Sequence, residues 1–484
     1  MDLRDLAGDL VARACAAGAR AADVLVGESE GLSVTVRLGE TEKLKRARQR
    51  RAGLRVLVGN STAIVSTADL SPPALDALVR DACALARATA PDPHAGLPDP
   101  VDLAREQPDL DLYDPAIEGL EPPAALALAR EAEAAALGVA PEITNSEGAE
   151  FGGEGGQVAY ASSLGFAGTY SGTHWGLSVS PVATRDGTMQ RDSWYTAHRK
   201  LGALDPPAEV GREAARRAVR RLGARRVPTG EYPVVFDPQT AASLLRHLAG
   251  AIAGPALYRR ASFLLGRLGE PIASPHVTVE DDPLRPAAPG SRPFDAEGVA
   301  SRRLVVVEAG VLQSYLLDAY SARRLGLRPT GHAARSFGDA PGAAPTNFFL
   351  APGPHPPEAI IGSIEAGLYV TELIGFGVNG VTGDYSRGAA GLWIERGELA
   401  YPVEEITIAG TLPAMFRGIE MVGNDLVFRN AIAAPSFFFS SSSSRARSRS
   451  RRNDGAVSRC AMLNPSSRWM RVALIIFDAS CLRP

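Results

Sequence analysis

The 484-residue sequence has few cysteines and no long apolar run. Its four cysteines, Cys15, Cys83, Cys460 and Cys481, lack paired metal-like spacing, which is typical of a chain kept in a reducing compartment. We expect Cys15 and Cys83 to be small buried thiols in Ala-rich helices. No apolar stretch approaches the ~20 residues that span a bilayer, and Met1–Leu10 resembles no signal peptide. The sequence therefore predicts a cytoplasmic protein without membrane contact.

Net positive charge is absent from most of the chain. The formal net charge is −3, but nine arginines and two aspartates lie from Ser440 onward, which leaves −10 on residues 1–439. An acidic body argues against general nucleic-acid binding, because such binding relies on neutralised phosphates. The basic run Glu42–Arg51 is interpreted as the solvated face of a β-ribbon, with a local nucleic-acid contact as the alternative.

Hydrophobic periodicity and turn residues predict an α+β protein. Residues 1–228 are expected to form an N-terminal α/β domain of β-then-α units. Residues 229–437 are expected to form a mainly β domain, a sheet stack or distorted barrel, with a few helices. Residues 438–484 form a Ser/Arg-rich tail that cannot bury a core and is expected to be disordered. The tail is interpreted as a frame or gene-model artefact, with a genuine RNA-binding or phosphorylated tail as the alternative.

A two-residue turn signal at Asp186-Gly187 fixes a hairpin register. It predicts that Arg185 pairs with Thr188 and that Trp175 pairs with His198. His174 and His198 would then point to opposite faces of the sheet, so they cannot share a metal ion.

The segment Gly377–Gly388 is rich in glycine and polar side chains and lies between apolar runs typical of consecutive strands. Glycine permits positive φ angles and close approach of another chain. We interpret the segment as a loop that faces a bound peptide or a partner, with a structural Gly-rich connection as the alternative. The candidate contact residues are Asn379, Thr382, Asp384, Tyr385 and Arg387.

No self-contained catalytic motif is present. A metalloprotease helix needs two histidines on one face with a glutamate beside the first. His247 lies on a predicted helix, but Leu248 follows it, and Ala251 and Ile252 occupy the next turn. His247 is therefore interpreted as a structural histidine. An autonomous hydrolase would need dispersed residues, namely His276, Asp281, Asp282 or His332.

Long segments resemble a known family. They are Glu28–Gly59, His247–Ile272 and Gly377–Leu412, followed by Val422–Leu426. Over roughly residues 5–435 the chain resembles the TldD/PmbA family, and specifically its TldE (PmbA) branch. The resemblance implies a cytosolic heterodimeric zinc metalloprotease that cleaves unfolded or extended peptides, and it is the source of the label "modulator of DNA gyrase".

The resemblance also implies which subunit this chain is. In the family, the TldD subunit carries zinc on a His-Glu-x-x-x-His helix and uses a cysteine late in the chain. Here His247 matches the first histidine, but Leu248 and Ile252 stand where the base and the second ligand would be. After Asp425 no cysteine occurs until Cys460. The resemblance thus implies no catalytic residues, no metal and no cofactor in this chain, with zinc in a TldD-like partner.

The leading hypothesis is a non-catalytic TldE-like subunit that completes a peptide-binding chamber. The alternatives are an autonomous hydrolase with a dispersed site and a regulator that binds gyrase or nucleic acid through the basic ribbon or the tail. Nucleic acid is not the expected partner, because the body of the chain is acidic.

Overall fold

The computed structural model describes residues 2–440, so the tail predicted from residue 438 lies almost wholly outside the described part. Within that part the helices are α1 (Leu3–Ala16), α2 (Pro72–Ala88), α3 (Pro122–Leu137), α4 (Pro207–Arg220), α5 (Pro238–Ile252), α6 (Gly254–Tyr258), α7 (Ala319–Leu325), α8 (Pro357–Gly362) and α9 (Leu412–Arg417). Proline at the first turn begins α2, α3, α4 and α5, where its missing N–H costs no hydrogen bond.

The strands outnumber the helices. The first sheet contains β1 (Ala21–Arg37), β2 (Glu40–Val58), β3 (Ser61–Thr67), β4 (Ile143–Ser162), β5 (Ala167–Arg185), β6 (Thr188–Arg191) and β7 (Trp194–His198). The later strands are β8 (Val234–Phe236), β9 (Val279–Asp281), β10 (Leu304–Glu308), β11 (Val311–Leu312), β12 (Ala333–Ala334), β13 (Gly342–Ala343), β14 (Phe348–Leu350), β15 (Ala366–Ile374), β16 (Asp384–Glu395), β17 (Glu398–Thr411), β18 (Ile419–Val422), β19 (Ile432–Ala433) and β20 (Phe437–Phe439). The predicted α+β class with a β-rich C-terminal region is confirmed.

The N-terminal sheet is antiparallel in the order β3-β2-β1-β4-β5-β6, with β7 also paired to β5. Helices α1 and α2 pack on Val24 and Val26 near the start of β1. Helices α3 and α4 pack on Val34 and Val36 near its end. All four side chains have even numbers on one strand, so both helix pairs cover the same face of the sheet at opposite ends. Between the two helix pairs, Ile117 lies over Gly153 and Gly155 of β4.

The other face of this sheet meets the C-terminal half of the chain. There Leu25 and Tyr160 pack with Phe166 and Phe294 in an aromatic cluster. Beside it, a buried ion network joins Arg55 to Asp23 and, at 3.1 Å, to Glu297. The two halves therefore share both apolar and charged buried contacts.

The described C-terminal half contains two larger sheets, both in contact with α5, and the two-stranded sheet β12-β13. One sheet has the order β17-β16-β15-β8-β20-β18 and the other the order β11-β10-β9-β14-β19. Helix α5 contacts β8 and β15 of the first and β14 and β19 of the second, and its apolar residues join the largest core cluster. The domain boundary predicted near residue 228 falls between α4 and β8.

Several elements differ from the expectation from sequence patterns, which predict separate strands at Ala22–Gly27, Leu32–Leu38, Ile143–Ser146, Gln157–Ser162 and Tyr315–Asp318. β1 runs unbroken through Gly27 and Gly31, and β4 includes the glycine-rich stretch Gly148–Gly156 that was expected to separate two strands. Neighbouring strands on both sides supply the backbone hydrogen bonds of β1 and β4, so the glycines do not interrupt these strands. Tyr315–Asp318 forms no strand; instead Asp318 is the N-cap of α7.

Phe438 and Phe439 were assigned to the tail, but they belong to β20 and are buried against β8. Phe236 stacks with Phe439 at 5.7 Å between ring centroids. The folded part therefore continues past residue 437. The predicted disorder of the tail and its origin concern residues outside the described range.

No helix among residues 2–440 is both long enough and apolar enough to cross a membrane.

Candidate functional site

Helix α5 positions His247 at the edge of the C-terminal core. The helix begins at Asp237, whose carboxylate accepts the backbone N–H of Thr240 at 2.8 Å and so caps the helix. Leu248 and Ile252 are 2% and 0% exposed and lie in the main core cluster. His247 lies beside this apolar stripe, as predicted, and its Nε2 is buried without a hydrogen-bond partner.

Strand β16 brings Tyr385 and Arg387 against the same helix. The rings of His247 and Tyr385 meet edge to face, with 6.3 Å between centroids. Arg387 donates one Nη to Ser243 Oγ at 2.9 Å and the other to the carbonyl of Leu373 at 3.1 Å. His247, which the resemblance aligns with the first motif histidine, thus faces a phenol and a guanidinium, and no carboxylate or second imidazole among residues 2–440 is hydrogen-bonded to it.

The electrostatics of this cluster oppose a bound cation. Burial lowers the pKa of His247, and the positive charges of Arg387 and Arg246 lower it further. Burial also raises the pKa of Tyr385, so its hydroxyl stays protonated. Across residues 2–440, no three His, Cys, Asp or Glu side chains are grouped so that they could hold a metal ion. One imidazole beside an arginine does not fit the zinc site that the family motif implies.

The candidate loop differs from its prediction in extent and in exposure. β16 begins at Asp384, so Asp384, Tyr385 and Arg387 lie on a strand, whereas Asn379 and Thr382 lie on the preceding loop. Tyr385 is 1% exposed and faces α5, so it cannot contact a peptide at the surface. Arg387 is half-buried and is held by Ser243. Neither residue is placed to meet a ligand as the prediction required.

The exposed part of the loop is held by its own polar groups. Asn379 Oδ1 accepts the backbone N–H of Val381 at 2.9 Å, and Thr382 Oγ1 donates to Asp384 Oδ2 at 2.5 Å. These side chains shape the turn more than they offer free ligands.

Sequence reasoning missed the apolar side chains of this loop. Phe376 is 100% exposed, and Ile374 and Val381 are 54% and 53% exposed. A fully exposed phenylalanine flanked by two exposed aliphatic side chains is a common feature of contact surfaces. The sequence offered one signal: the apolar residues Ile374 and Phe376 flank Gly375 where β15 ends.

The dispersed residues do not form an accessible site. The proline-rich sequence around Asp281 predicts a connection, but Asp281 lies at the end of β9. Its Oδ1 is 3.2 Å from His332 Nε2, and both side chains are fully buried. Asp281 also accepts the backbone N–H of Thr346 at 2.7 Å. His276 is exposed elsewhere, and Asp282 caps the turn at Leu284. The buried Asp281–His332 pair is therefore a structural contact.

The structure also bears on the predicted hairpin register and on the predicted burial of two cysteines. The hairpin register is confirmed, because Arg185 pairs with Thr188 and Trp175 pairs with His198. The expectation for the cysteines is half right, since Cys83 is buried but Cys15 is exposed. Cys15 lies in the last turn of α1, on the side away from the buried stripe.

Family models match three consecutive parts of the chain. The models are PmbA/TldA metallopeptidase domain 1 at residues 22–86, the central domain at 115–222 and the C-terminal domain at 229–444. Among curated proteins, metalloprotease PmbA of Escherichia coli O157:H7 is 41% identical over 415 residues, which are 86% of this chain and 90% of that protein. A Haemophilus influenzae PmbA homologue is 37% identical over 436 residues, 90% of this chain and 94% of its own length.

Solved structures share the fold. A proposed modulator of DNA gyrase from Bacteroides thetaiotaomicron superposes with a TM-score of 0.84 at 29% identity and covers 90% of this chain and 97% of its own. TldE from Thermococcus kodakarensis superposes with a TM-score of 0.81 at 21% identity, over 90% of this chain and 98% of its own, a likeness of fold. From its domain models and its similarity along most of its length to PmbA proteins, this chain belongs to the PmbA/TldD metallopeptidase family, on its PmbA (TldE) branch.

Proposed function

We propose that this chain is the non-catalytic, TldE-like subunit of a heterodimeric zinc metalloprotease that cleaves unfolded or extended peptides. The observation that carries the proposal is the environment of His247. Its neighbours at the motif positions, Leu248 and Ile252, are part of the hydrophobic core, and burial together with the positive charge of Arg387 lowers the pKa of the imidazole.

The core position of Leu248 and Ile252 matters because a metal ligand must reach the ion with a polar atom. Both side chains instead contribute apolar area that stabilises the fold. Arg387 adds a fixed positive charge close to the remaining imidazole, and like charges repel strongly in a partly buried site. Zinc, which activates a water molecule in metalloproteases, is accordingly expected in a TldD-like partner.

A TldD-like partner is supported by the relatives. A TldD homologue of Haemophilus influenzae is 30% identical to this chain over 261 residues, 51% of this chain and 54% of that protein. Related subunits commonly associate through equivalent surfaces, so a TldD-like protein is a physically reasonable partner. The exposed Phe376, Ile374 and Val381, together with Asn379, Thr382 and Asp384, form the surface that we assign to the partner or the peptide.

The substrate assignment rests on main-chain recognition. An extended peptide can add to a sheet by backbone hydrogen bonds, which tolerate many side-chain sequences. Each half of the described chain contains long strands, such as β1 and β4 in the first and β16 and β17 in the second, which suits an enzyme that takes unfolded peptides of varied sequence. Neither the buried Asp281–His332 pair nor any other described cluster favours an autonomous hydrolase.

The test is a reconstitution. An unfolded peptide is incubated with the purified chain, with a TldD-like protein from the same genome, and with both. Zinc is quantified in each dialysed protein. We expect cleavage only with the TldD-like protein present, stimulation by this chain, loss of activity with a chelator, and no retained zinc in this chain. Cleavage by this chain alone, or one equivalent of zinc in it after dialysis, would contradict the proposal.

A further inference from the structure

We propose that the outer edge of β2 between Glu40 and Arg51 binds an extended acidic segment of another protein, which adds to the N-terminal sheet as a new strand. The inference goes beyond the proposed function, because it does not depend on which subunit carries a metal.

The first observation is an unpaired edge. β2 pairs with β1 along almost its whole length, but β3 pairs only with Ala52–Val58. Glu40–Arg51 therefore has a neighbouring strand on one side only. These residues would extend over roughly 40 Å at ~3.3 Å per residue, and every one is exposed except the partly exposed Ala47.

The second observation is that the edge is regular. The only register shift between β1 and β2 lies at Thr35/Val36, opposite the start of β2, and none interrupts the ladder from Lys43 onward. Natural sheets commonly protect an edge by proline, a bulge or a short strand. None of these interrupts Lys43–Arg51, so the edge is protected by charge alone.

The direction of the backbone groups follows from the turn between β2 and β3. Val58 pairs with Ser61 across a two-residue loop. The two residues that close such a hairpin hydrogen-bond to each other through both backbone N–H and C=O groups. The N–H and C=O groups of Val58 therefore point toward β3 and away from β1. The direction alternates along a strand. The residues whose N–H and C=O groups point outward from the unpaired edge are thus Leu44, Arg46, Arg48 and Arg50.

The third observation is the charge distribution. On one face, Arg46 and Arg50 are paired with Glu30 at 3.0 Å and Glu28 at 2.9 Å. On the other face lie Lys43, Lys45 and Arg51, which have no ion pair among the described residues. A strand added at this edge would place alternate side chains beside these three cations, so acidic residues at every second position fit best.

The fourth observation is a concavity on each face of the sheet next to this edge. One, of about 530 Å³, is lined by Lys45 and Gln49 together with His174 and Tyr195. The other, of about 520 Å³, is lined by Arg46 and Arg48 together with Tyr113, Ile117 and others. In strand addition the backbone supplies affinity, and recesses that receive alternate side chains supply specificity.

The same charges disfavour a second copy of this chain. Pairing of one β2 edge with another would bring lysines and arginines beside each other, and facing like charges destabilise a sheet. A nucleic acid is a poorer fit, because the cations are divided between two faces and those of Arg46 and Arg50 are already paired.

The experiment uses the full chain and a fluorescent twelve-residue peptide that alternates Glu and Thr, with a Lys/Thr peptide as control. Binding is measured by anisotropy at low salt, and backbone protection by hydrogen exchange and mass spectrometry. Leu44→Pro removes an outward N–H without changing charge, and Leu44→Ala is its matched control. A second variant combines Lys43→Glu, Lys45→Glu and Arg51→Glu.

We expect the Glu/Thr peptide to bind at least about tenfold more tightly than the Lys/Thr peptide and to slow exchange at Leu44–Arg50. Leu44→Pro should weaken binding about tenfold or more, Leu44→Ala should change it little, and the triple variant should prefer the Lys/Thr peptide. No binding of the Glu/Thr peptide up to about 1 mM, equal binding of both peptides, or an unchanged preference in the triple variant would overturn the proposal. Duplex DNA that displaces the peptide and protects the same residues would also overturn it, in favour of a nucleic-acid surface.

Discussion

At the scale of single residues, Leu248 is an apolar side chain at the position where the proposed motif alignment would need a glutamate. Its side chain is 2% exposed and contributes to the core between α5 and the sheets. The sequence alone shows that Leu248 and Ile252 offer no metal-binding atom in their side chains. It could not predict that Arg387 would take a place beside His247, because these residues are far apart in the chain and only the packing of β16 on α5 brings them together.

Introducing a glutamate at position 248 should destabilise the protein. Leu248→Glu places a carboxylate in an apolar core, which we expect to lower the free energy of unfolding by roughly 3 kcal/mol or more. Arg246→Gln, on the exposed side of the same helix, should change it by less than about 0.5 kcal/mol. Urea unfolding followed by circular dichroism measures both. A stable Leu248→Glu variant that also retained zinc would contradict our account of this site.

Glu297 is the residue through which pH should act on stability. Burial raises the pKa of its carboxyl to about 7, Arg55 lowers it in part, and Asp295 and Asp318 raise it. The backbone N–H of Ala319 donates to Glu297 Oε2 at 2.8 Å. Because the folded-state pKa lies above the ordinary value of 4.5, the folded protein holds a proton that the unfolded chain releases. The resulting stabilisation is complete below about pH 4.5 and is lost as the pH rises through about 7.

Glu297→Gln should remove this contribution. Between about pH 5 and pH 7.5, the unfolding free energy of the original protein should fall relative to that of the variant by on the order of 2 kcal/mol. Comparing the two proteins cancels the titration of groups that the substitution leaves unchanged. Unfolding curves recorded at several pH values provide the measurement, and parallel pH dependences for the two proteins would show that Glu297 does not titrate in this range.

At the scale of elements, the sequence predicts strands whose apolar side chains form a pattern. It does not predict strands that form mainly because of pairing with neighbouring strands. Alternating apolar residues predict strands at Ala22–Gly27 and Leu54–Val58, and an apolar run predicts one at Leu368–Ile374; the three lie in β1, β2 and β15. The glycine-rich parts of β4 and β16 have no such alternation, and both were assigned to connections. At Gly156 a Cβ atom would lie 2.6 Å from the carbonyl oxygen of Glu28, so glycine is required there because β4 and β1 approach closely.

Strand β20 was missed for a related reason. Its three phenylalanines directly precede a serine tract, and the change in composition suggested a tail. Phe437 and Phe439 are 1% and 2% exposed and pack on Phe236. Aromatic side chains of this size dominate the cores that they enter.

Truncation tests the role of β20. A chain that ends at Ser440 should keep the melting temperature of the longer protein, because β20 is intact. A chain that ends at Ser436 should lose at least about 3 kcal/mol of unfolding free energy, the usual loss for one buried phenylalanine side chain. Thermal unfolding of the two truncated chains makes the comparison. Equal melting temperatures would show that β20 contributes nothing to stability.

At the scale of the whole molecule, the two halves are joined by a close backbone contact as well as by the ion network. Phe337 lies over β1 and β2: a Cβ atom at Gly53 would be 1.8 Å from the carbonyl oxygen of Phe337, and one at Gly27 would be 2.6 Å from its ring. The sequence indicated two regions but contained no local signal for this contact, because it joins residues almost 300 positions apart.

Gly53→Ala should force these parts of the molecule to separate. We expect a loss of roughly 2–4 kcal/mol in unfolding free energy and faster proteolysis near residue 337. Gly8→Ala is the matched control, since nothing lies within 4 Å of a Cβ atom there and alanine favours the helix by about 0.5–1 kcal/mol. Limited proteolysis with mass mapping, combined with thermal unfolding, measures both effects. Similar digestion patterns for the two variants would be the contrary result.

The position of β8 within its sheet has a consequence for the order of folding. β8 is the first strand of the C-terminal half, yet its two neighbours, β15 and β20, are made about 130 and 200 residues later. Pairings so distant in sequence form slowly. The pairing of β8 with β20 cannot form until synthesis has reached Phe439. Until Ala366–Ile374 has been synthesised, Val234–Phe236 is an apolar strand with both edges unpaired. Chaperones bind exposed apolar segments of this kind.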